Sequence, residues 1–342
     1  MLEGHGDDLY RYGWSVEANF SSNVPDLPRC PGLKRRLTEC MERIDRYPEP
    51  DARSLADRLA ARHGIEPGSV CVTAGATEAF YLIAAAFPAS VSLVVTPSFA
   101  EYEDACRMHG HRIAYCTADE LSRGAPDGTG LVWIGNPNNP DGRVIPERTL
   151  AALIGAHPGR IFVLDHSYEA FTDRPLTDTA EATRQPNTIV VHSMTKRYGV
   201  AGLRLGYATA TPRLVQRLQA CRMPWTVGTP AAEAGKYILS HPDEFPFDLK
   251  ACLTETQRFR ASLDRIGGIR TRPTDCHFFL AELERGTAAE LKEYLIREHG
   301  ILIRDASNFR GLGPRCIRLS SRRREQNDRL VDAIAEWMRL GN

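Results

Sequence analysis

The chain has 342 residues, with 43 Lys and Arg against 43 Asp and Glu and 42% hydrophobic residues, which is the composition of a globular protein with a large core. The formal net charge of zero excludes the basic excess by which proteins usually bind nucleic acids or anionic membranes. Nine cysteines without a C-x-x-C pair and a polar start argue against a disulfide framework, a zinc ribbon and a signal peptide, so we expect a soluble cytoplasmic protein with free thiols and no metal site.

The middle of the chain alternates short apolar runs with helical stretches. A helix pattern occupies 51–64, and no apolar run is long enough to span a bilayer. Strands are predicted at 70–73, 92–95, 112–115, 131–134, 161–164, 188–192 and 205–208. Helices are predicted at 77–87, 102–108 and 146–155. This alternation predicts an α/β unit with a mostly parallel, buried sheet.

The pattern changes after about residue 241. Strands at 276–283, 301–303 and 316–319, with helices at 288–299 and near the C-terminus, indicate a smaller α+β domain. The first 47 residues are rich in Pro, Asn and Arg and lack a long helix or strand pattern. We therefore predict an N-terminal segment (1–47) that packs with the small domain and the active site, a large domain (48–240) and a small C-terminal domain (241–342).

Polar motifs follow several predicted strands, at the sheet edge where ligands gather in open α/β proteins. The turn Gly75-Ala76-Thr77 opens a helix whose free N–H groups suit a phosphate, and the alternative is a plain turn with Thr77 as N-cap. The segment WIGNPNNPDG, Trp133 to Gly142, either directs asparagine amides inward or forms a merely structural Asx-Pro turn.

Two further motifs carry charged residues. Asp165 ends an apolar strand, where a carboxylate needs a cationic partner unless it caps the next turn, and Tyr168 follows it. Lys196 follows a buried strand among small residues, which can desolvate it into a Schiff-base nucleophile. Arg204 lies eight residues later and suits a phosphate, although a surface loop with solvated cations is the alternative.

The four motifs together match the needs of a pyridoxal 5'-phosphate (PLP) site. PLP is an electron sink only while its pyridine nitrogen stays protonated, which a carboxylate maintains, and a lysine binds its aldehyde. Amide and phenol groups suit its phenolic oxygen, and arginine, hydroxyl and backbone N–H groups suit its phosphate. Neither a G-x-G-x-x-G nor a P-loop motif occurs in the sequence, which excludes dinucleotide and P-loop sites.

The segments NPNNPDG and SMTKRYGVAGLRLGY resemble the class I/II aminotransferase family, fold type I of the PLP enzymes, and the resemblance covers nearly the whole chain. It implies a large domain with a mostly parallel seven-stranded sheet flanked by helices, plus a smaller α+β C-terminal domain. It implies that Lys196 binds the cofactor aldehyde and that Asp165 contacts the pyridine nitrogen. Asn139 and Tyr168 would contact the phenolic oxygen, and Lys196, Asp165 and Tyr168 would be catalytic. The implied contacts of the cofactor phosphate are Ala76, Thr77, Ser193 and Arg204.

The resemblance also assigns roles outside these motifs. Tyr102, in PSFAEYEDA, matches an aromatic residue that stacks on the cofactor ring. Tyr47, in RYPEPD, matches a tyrosine that reaches the cofactor phosphate of a partner subunit, which implies a homodimer. Arg318, in CIRLSSR, matches the arginine that binds the substrate α-carboxylate. Asp141, in a motif that usually reads NPTG, and Gly228, where Asn is frequent, are departures that remove no catalytic group.

The N-terminus favours one branch of the family. His5-Gly6 and the run around Asn23 resemble the threonine-phosphate decarboxylases of cobalamin biosynthesis, although HGDD departs from the commoner HGG form. By this resemblance His5, Arg304 and Arg322 would face the substrate phosphate. The expected substrate contacts are therefore His5, Gly6, Asn23, Arg304, Arg318 and Arg322.

Other interpretations stay open at this point. A disordered terminus is the alternative for His5, and a solvated charge run is the alternative for Arg322. For the function, the alternatives are an aminotransferase for histidinol phosphate or a related amino acid, and a non-enzymatic regulator with this fold. We expect a PLP-dependent lyase whose only partners are a small phosphorylated substrate and a second copy of the chain.

Overall fold

Residues 6–12, 16–28, 30–124 and 128–341 are described by a computed structural model, and their strands form three sheets. The strands are β1 (Ala18–Asn19), β2 (Val70–Thr73), β3 (Val91–Val95), β4 (Arg112–Cys116), β5 (Leu131–Gly135), β6 (Ile161–Asp165), β7 (Thr188–Ser193), β8 (Gly206–Thr209), β9 (Ile269–Thr271), β10 (Phe278–Leu283), β11 (Ile301–Leu302), β12 (Arg304–Asp305) and β13 (Cys316–Ser320). A seven-stranded sheet has the order β2-β8-β7-β6-β5-β3-β4, a four-stranded sheet has the order β12-β13-β10-β9, and β1 pairs with β11.

Helices cover both faces of the large sheet and one face of the small one. They are α1 (Pro31–Cys40), α2 (Arg53–His63), α3 (Gly75–Ala86), α4 (Ala100–Met108), α5 (Ala118–Leu121), α6 (Glu147–Ala156), α7 (Thr179–Ala182), α8 (Met194–Arg197), α9 (Pro212–Gln219), α10 (Thr229–Ser240), α11 (Leu249–Leu263), α12 (Ala288–His299) and α13 (Arg324–Arg339). In the part of the chain that the structure describes, no helix combines the length and apolar character needed to cross a membrane.

The seven-stranded sheet is buried between two layers. Its strands are parallel except β8, which runs antiparallel to both β2 and β7. Side chains of α3, α4 and α9 pack on one face, and those of α5, α6 and α7 on the other. Burial on both faces explains why strands such as β5 (LVWIG) read as continuous apolar runs. The prediction of a mostly parallel seven-stranded sheet with a smaller α+β part is confirmed.

The four-stranded sheet is antiparallel and has its own core. Phe279, Ile317 and Leu319 of its inner face pack with Phe259 of α11 and Trp337 of α13. Strands β12 and β13 pair so that residues 304 and 318 lie directly opposite each other. Both arginines of this pair are buried, which directs attention to the space between the two sheets.

The N-terminal segment contacts both parts of the molecule, through β1 on the side of the small sheet and through α1 on the side of the large one. Its strand β1 pairs in parallel with β11, with Ala18 opposite Ile301. Although the first 47 residues show no long helix or strand pattern, the helix α1 forms there and packs on α10. Helix α1 buries only Leu33 and Cys40, so its sequence shows almost no apolar stripe.

Candidate active site

A cavity of about 330 Å³, here called the lysine cavity, opens at the carboxyl ends of β6 and β7 beside the start of α3. This is the edge at which parallel sheets collect polar side chains. Of the residues expected from the sequence, it is lined by Gly6, Asn23, Ala76, Thr77, Asn139, Asp165, Tyr168, Ser193, Lys196, Arg204 and Arg318. The fold therefore brings together most of the predicted site.

Lys196 is half-buried in the short helix α8, which directly follows β7. Burial lowers the pKa of its amine from 10.5 to about 8, and the positive charges of Arg318 and Arg204 act in the same direction. Asp165 and Asp7 oppose this shift more weakly. A larger fraction of the amine is therefore neutral near pH 7 than in an exposed lysine, as a nucleophilic lysine requires.

Asp165 ends β6 and directs its carboxylate into the lysine cavity. Its Oδ1 accepts a hydrogen bond from the Ser167 backbone N–H at 2.8 Å, and its Oδ2 accepts one from the Tyr102 hydroxyl at 2.5 Å. Burial raises the pKa of this carboxyl group, while the two hydrogen bonds favour its charged form. A cation placed beside it would favour the charged form further.

Tyr102 does not lie where the resemblance implied. Its ring is fully buried, stacks on Trp133 at 6.0 Å between centroids, and only its hydroxyl reaches Asp165. Phe99, three residues earlier in the same motif and just before α4, does line the lysine cavity, as do Phe80 and Tyr168. We therefore correct the expectation: Phe99 is the candidate for stacking on a cofactor ring, and Tyr102 positions Asp165.

The start of α3 and Arg204 form a candidate phosphate cradle. Gly75 has φ +81°, and a Cβ there would lie 2.6 Å from Arg204 Nη2, so only glycine lets the guanidinium approach the helix start. The Ser193 and Thr195 hydroxyls lie 2.7 Å apart on the same side, and Thr77 completes the lining. Free N–H groups of a helix start, two hydroxyls and an arginine are a donor set suited to a phosphate dianion.

Asn139 and Tyr168 lie on the other side of the lysine cavity. The Asn139 Oδ1 accepts a hydrogen bond from Arg318 Nη1 at 2.6 Å. The Tyr168 hydroxyl accepts one from Asn23 Nδ2 at 3.1 Å, and burial raises the pKa of this phenol to about 12. Tyr168 is therefore a neutral hydrogen-bonding group at ordinary pH.

A second cavity of about 520 Å³, here called the arginine cavity, adjoins the first. Gly6, Phe99, Asn139 and Arg318 line both. Arg318 is fully buried and its Nη2 donates to the Ser21 backbone oxygen at 2.6 Å, while its Nε has no partner among the described residues. Burial lowers its pKa to about 10, which still leaves it charged at neutral pH.

Arg304 lines the arginine cavity from the strand opposite Arg318. Its Nη2 donates to Asn308 Oδ1 at 2.7 Å, and its guanidinium lies 5.2 Å from the centre of the Phe309 ring. Gly6 lies against both arginines, because a Cβ there would be 3.2 Å from Arg304 Cδ and from Arg318 Nη2. His5, predicted to bind substrate, is outside the described residues.

Arg322 contradicts its predicted role. Its guanidinium donates to the backbone oxygens of Ser22, at 2.6 Å, and Val24, and it lines neither cavity. Asp26 lies 3.9 Å from it. Arg322 holds the N-terminal segment by its main chain, so we interpret it as a structural anchor outside both cavities.

Tyr47 lies outside both cavities of this chain. Its side chain is 85% exposed, and its ring contacts Trp225 with 5.2 Å between centroids. Its role toward a partner subunit stays a prediction.

Sequence reasoning missed Phe99, Thr195 and Asp7, all of which line the lysine cavity. A signal existed for Phe99, the first aromatic residue of PSFAEYEDA, and for Asp7, the residue by which HGDD departs from HGG.

Comparisons with known proteins agree with this geometry. The family model for aminotransferase class I and II matches residues 16–334. The chain belongs to this family. Members of the aminotransferase class I and II family use PLP, and PLP is the cofactor of this chain. The cradle at Gly75, the lysine of lowered pKa and the strand-end aspartate fit its phosphate, aldehyde and pyridine nitrogen in turn.

Two family relatives carry different activities in their names. A protein of Caldanaerobacter subterraneus subsp. tengcongensis, provisionally named threonine-phosphate decarboxylase, is 32% identical over 96% of this chain and 92% of its own length. A histidinol-phosphate aminotransferase of an Anaeromyxobacter species is 29% identical over 94% and 91%. The sequence relatives alone therefore do not distinguish a lyase from a transferase.

Two solved structures share the fold. L-threonine-O-3-phosphate decarboxylase from Porphyromonas gingivalis has a TM-score of 0.91 at 40% identity, covering 94% of this chain and 99% of that one. The histidinol-phosphate aminotransferase from Sinorhizobium meliloti, solved with pyridoxal-5'-phosphate, has a TM-score of 0.79 at 22% identity over 98% and 94%. The second likeness supports the fold alone.

Proposed function

We propose that this protein decarboxylates L-threonine O-3-phosphate to (R)-1-aminopropan-2-ol phosphate, a precursor in cobalamin biosynthesis. The observation that carries the proposal is the packing of Gly6 against both Arg304 and Arg318 beside the lysine cavity. This substrate carries a carboxylate and a phosphate, and two buried arginines suit two anions. The 40% identity to a decarboxylase of known structure supports the same assignment.

The residues divide into those that hold the cofactor and those that hold the substrate. When bound, PLP supplies an electron sink for the electron pair released at the substrate α-carbon. Lys196 would hold its aldehyde, Asp165 its pyridine nitrogen, and Asn139 and Tyr168 its phenolic oxygen. Phe99 would cover the ring, and the cradle of Ala76, Thr77, Ser193 and Arg204 would hold the phosphate.

The substrate orientation selects the reaction. Arg318, backed by Asn139, suits the α-carboxylate, and Arg304 suits the phosphate. The position in which Arg318 and Arg304 hold the two anions would decide whether the carboxylate or the α-hydrogen is lost, and PLP would supply the electron sink in either case. Once it no longer holds the aldehyde, Lys196 in its protonated form could deliver a proton to the α-carbon after carbon dioxide leaves, and its amine would then be neutral.

A homodimer completes the proposed site. Tyr47 would reach the cofactor phosphate of the partner subunit. The exposed side chains of Ile44, Tyr47, Met223 and Trp225 support this assembly, because large apolar groups on a surface mark protein contacts.

The second candidate is histidinol-phosphate aminotransferase activity. The curated relative at 29% identity favours it, and Arg304 suits a phosphate in either substrate. Histidinol phosphate has no carboxylate, because its α-carbon carries a phosphooxymethyl and an imidazolylmethyl group, so under this alternative Arg304 and Arg318 would face a single anion.

A product assay on purified, PLP-loaded protein tests the proposal. With L-threonine O-3-phosphate and no keto acid, we expect carbon dioxide and aminopropanol phosphate. Glutamate formation from histidinol phosphate and 2-oxoglutarate, without carbon dioxide from threonine phosphate, would establish the alternative instead. Lys196→Ala serves as the inactive control in both assays.

A further inference from the structure

A third arginine lines the arginine cavity. Arg310 belongs to the loop after β12, and it shares the lining with Arg304 and Arg318. Two carboxylate residues, Glu103 and Asp104 of α4, line the cavity from the opposite side. The cavity is therefore bounded by arginines on and next to the four-stranded sheet and by carboxylates of α4, which packs on the seven-stranded sheet.

Arg310 now binds Glu103 across this cavity. Its Nε and Nη2 donate to Glu103 Oε2 at 3.1 Å and Oε1 at 2.9 Å, and its guanidinium lies 3.9 Å from the centre of the Tyr115 ring. Burial alone would raise the pKa of Glu103, but hydrogen bonds from Arg310 and Arg107 outweigh it and lower that pKa. The pair joins the loop 306–312 to α4 at the cavity wall.

Breaking the ion pair between Arg310 and Glu103 costs little free energy. The Arg310 side chain is 46% exposed, and solvent-exposed ion pairs contribute little to stability. Glu103 would not be left alone, because Arg107 Nε and Nη2 hold its Oε1 at 2.9 and 2.6 Å. A phosphate dianion offers Arg310 a stronger bidentate partner than a carboxylate that is already shared.

We infer that Arg310 is a specificity-determining residue that exchanges Glu103 for the phosphoryl group of the substrate, which it would hold together with Arg304, while Arg318 holds the carboxylate. The inference rests on the proposed function only in that the substrate is a phosphate monoester. It also gives Glu103 a role: its carboxylate keeps the guanidinium at the cavity wall and competes with the incoming anion.

Three variants separate this role from simple stabilisation of α4. Arg310→Gln removes the cavity-lining guanidinium. Arg107→Gln is the matched control, because it removes a cation that holds the same carboxylate but does not line the cavity. Glu103→Gln removes the competing anion and leaves Arg310 in place.

The experiment is calorimetric titration of PLP-loaded protein with inorganic phosphate, so that the cofactor's own phosphate site is filled. We expect Arg310→Gln to weaken phosphate binding about tenfold, in line with the loss of a charge-assisted hydrogen bond of about 1.5 kcal/mol. We expect Arg107→Gln to have little effect and Glu103→Gln to tighten binding. With threonine phosphate, Arg310→Gln should raise KM with little change in kcat.

Several outcomes would overturn the inference. They are equal affinities in wild type and Arg310→Gln, an equal loss in Arg107→Gln, or no phosphate binding by the wild-type holoenzyme. The proposed function is judged separately by the product assay. Phosphate binding that depends on Arg310 in a protein without decarboxylase activity would therefore retain the anion site and reject threonine phosphate as the substrate.

Discussion

Lys196 links burial to chemistry at the scale of a single residue. Burial, Arg318 and Arg204 lower the pKa of its amine to about 8. Because only the neutral amine attacks an aldehyde, we expect covalent PLP binding by the apoprotein to accelerate with pH to a midpoint near 8, against 10.5 for an unperturbed lysine. Stopped-flow absorbance at a series of pH values measures this midpoint.

Arg318→Gln supplies the matched comparison for that midpoint. Removing a nearby positive charge favours the protonated amine, so the midpoint should move to higher pH. Arg315→Gln, an exposed arginine bonded to the Glu284 backbone oxygen, should leave it unchanged. A midpoint that Arg318→Gln leaves in place would contradict the assigned cause of the shift.

The motifs predicted Lys196, Asp165 and Arg204 as site residues, because PLP chemistry requires those residue types after a strand. They assigned the stacking role to Tyr102, whereas Phe99 of the same motif lies at the cavity because of the direction in which α4 begins. They also could not separate Arg318 from Arg322. The pleat of β13 and the segment after it aim one guanidinium into the cavities and the other at main-chain oxygens.

At the scale of elements, strands buried on both faces were predicted closely. Val70–Thr73 has the predicted bounds, and β6 differs from its prediction by one residue. Continuous apolar runs are the reason, because such runs have few other stable arrangements. Helix α1 escaped prediction, since its two buried side chains make too weak a pattern and its packing on α10 is a tertiary effect.

The start of α3 permits a sharp test at the same scale. Gly75→Ala would introduce a Cβ 2.6 Å from Arg204 Nη2 and strain a backbone at φ +81°. We expect it to weaken PLP affinity about tenfold or more, since the displaced arginine would lose a charge-assisted hydrogen bond to the phosphate, which contributes about 1.5–3 kcal/mol. Gly64→Ala is the control, with φ +64° and open space around its Cβ.

The control variant should lower thermal stability by a similar strain while leaving PLP affinity unchanged. Fluorescence titration with PLP and thermal unfolding of both apoproteins measure the two effects. Equal losses of PLP affinity in Gly75→Ala and Gly64→Ala would show that backbone strain, not the approach of Arg204, governs the cradle.

At the scale of the whole molecule, buried histidines set the response to acid. Burial lowers the pKa of His63 and His166 to about 4 and that of His277 to about 3. Between pH 6.5 and about 4 the unfolded chain binds protons that the folded chain excludes. As the pH falls through this range, the free energy of unfolding should therefore decrease by up to about 1.4 kcal/mol per pH unit for each of the fully buried His166 and His277, and by less for the half-buried His63.

Denaturant unfolding at about pH 7 and pH 5 measures this slope. His166→Gln should reduce the pH dependence of the free energy of unfolding by the contribution of one buried histidine. His241→Gln, at an exposed position, should leave that pH dependence unchanged. A slope that is identical in wild type and His166→Gln would contradict the assignment of His166 as a buried neutral group.

The pairing of β1 with β11 also has a consequence for protein synthesis. Asn19 and Leu302 are partners in this pairing, and Arg322 binds the main chain at Ser22 and Val24. At 5–20 residues per second the ribosome makes these partners roughly 15–60 seconds apart. The N-terminal segment that lines the lysine cavity therefore stays unpaired until nearly the entire chain has been translated. A nascent chain halted before residue 301 can carry Lys196 and the phosphate cradle, yet it lacks the arginines that would recognise a substrate.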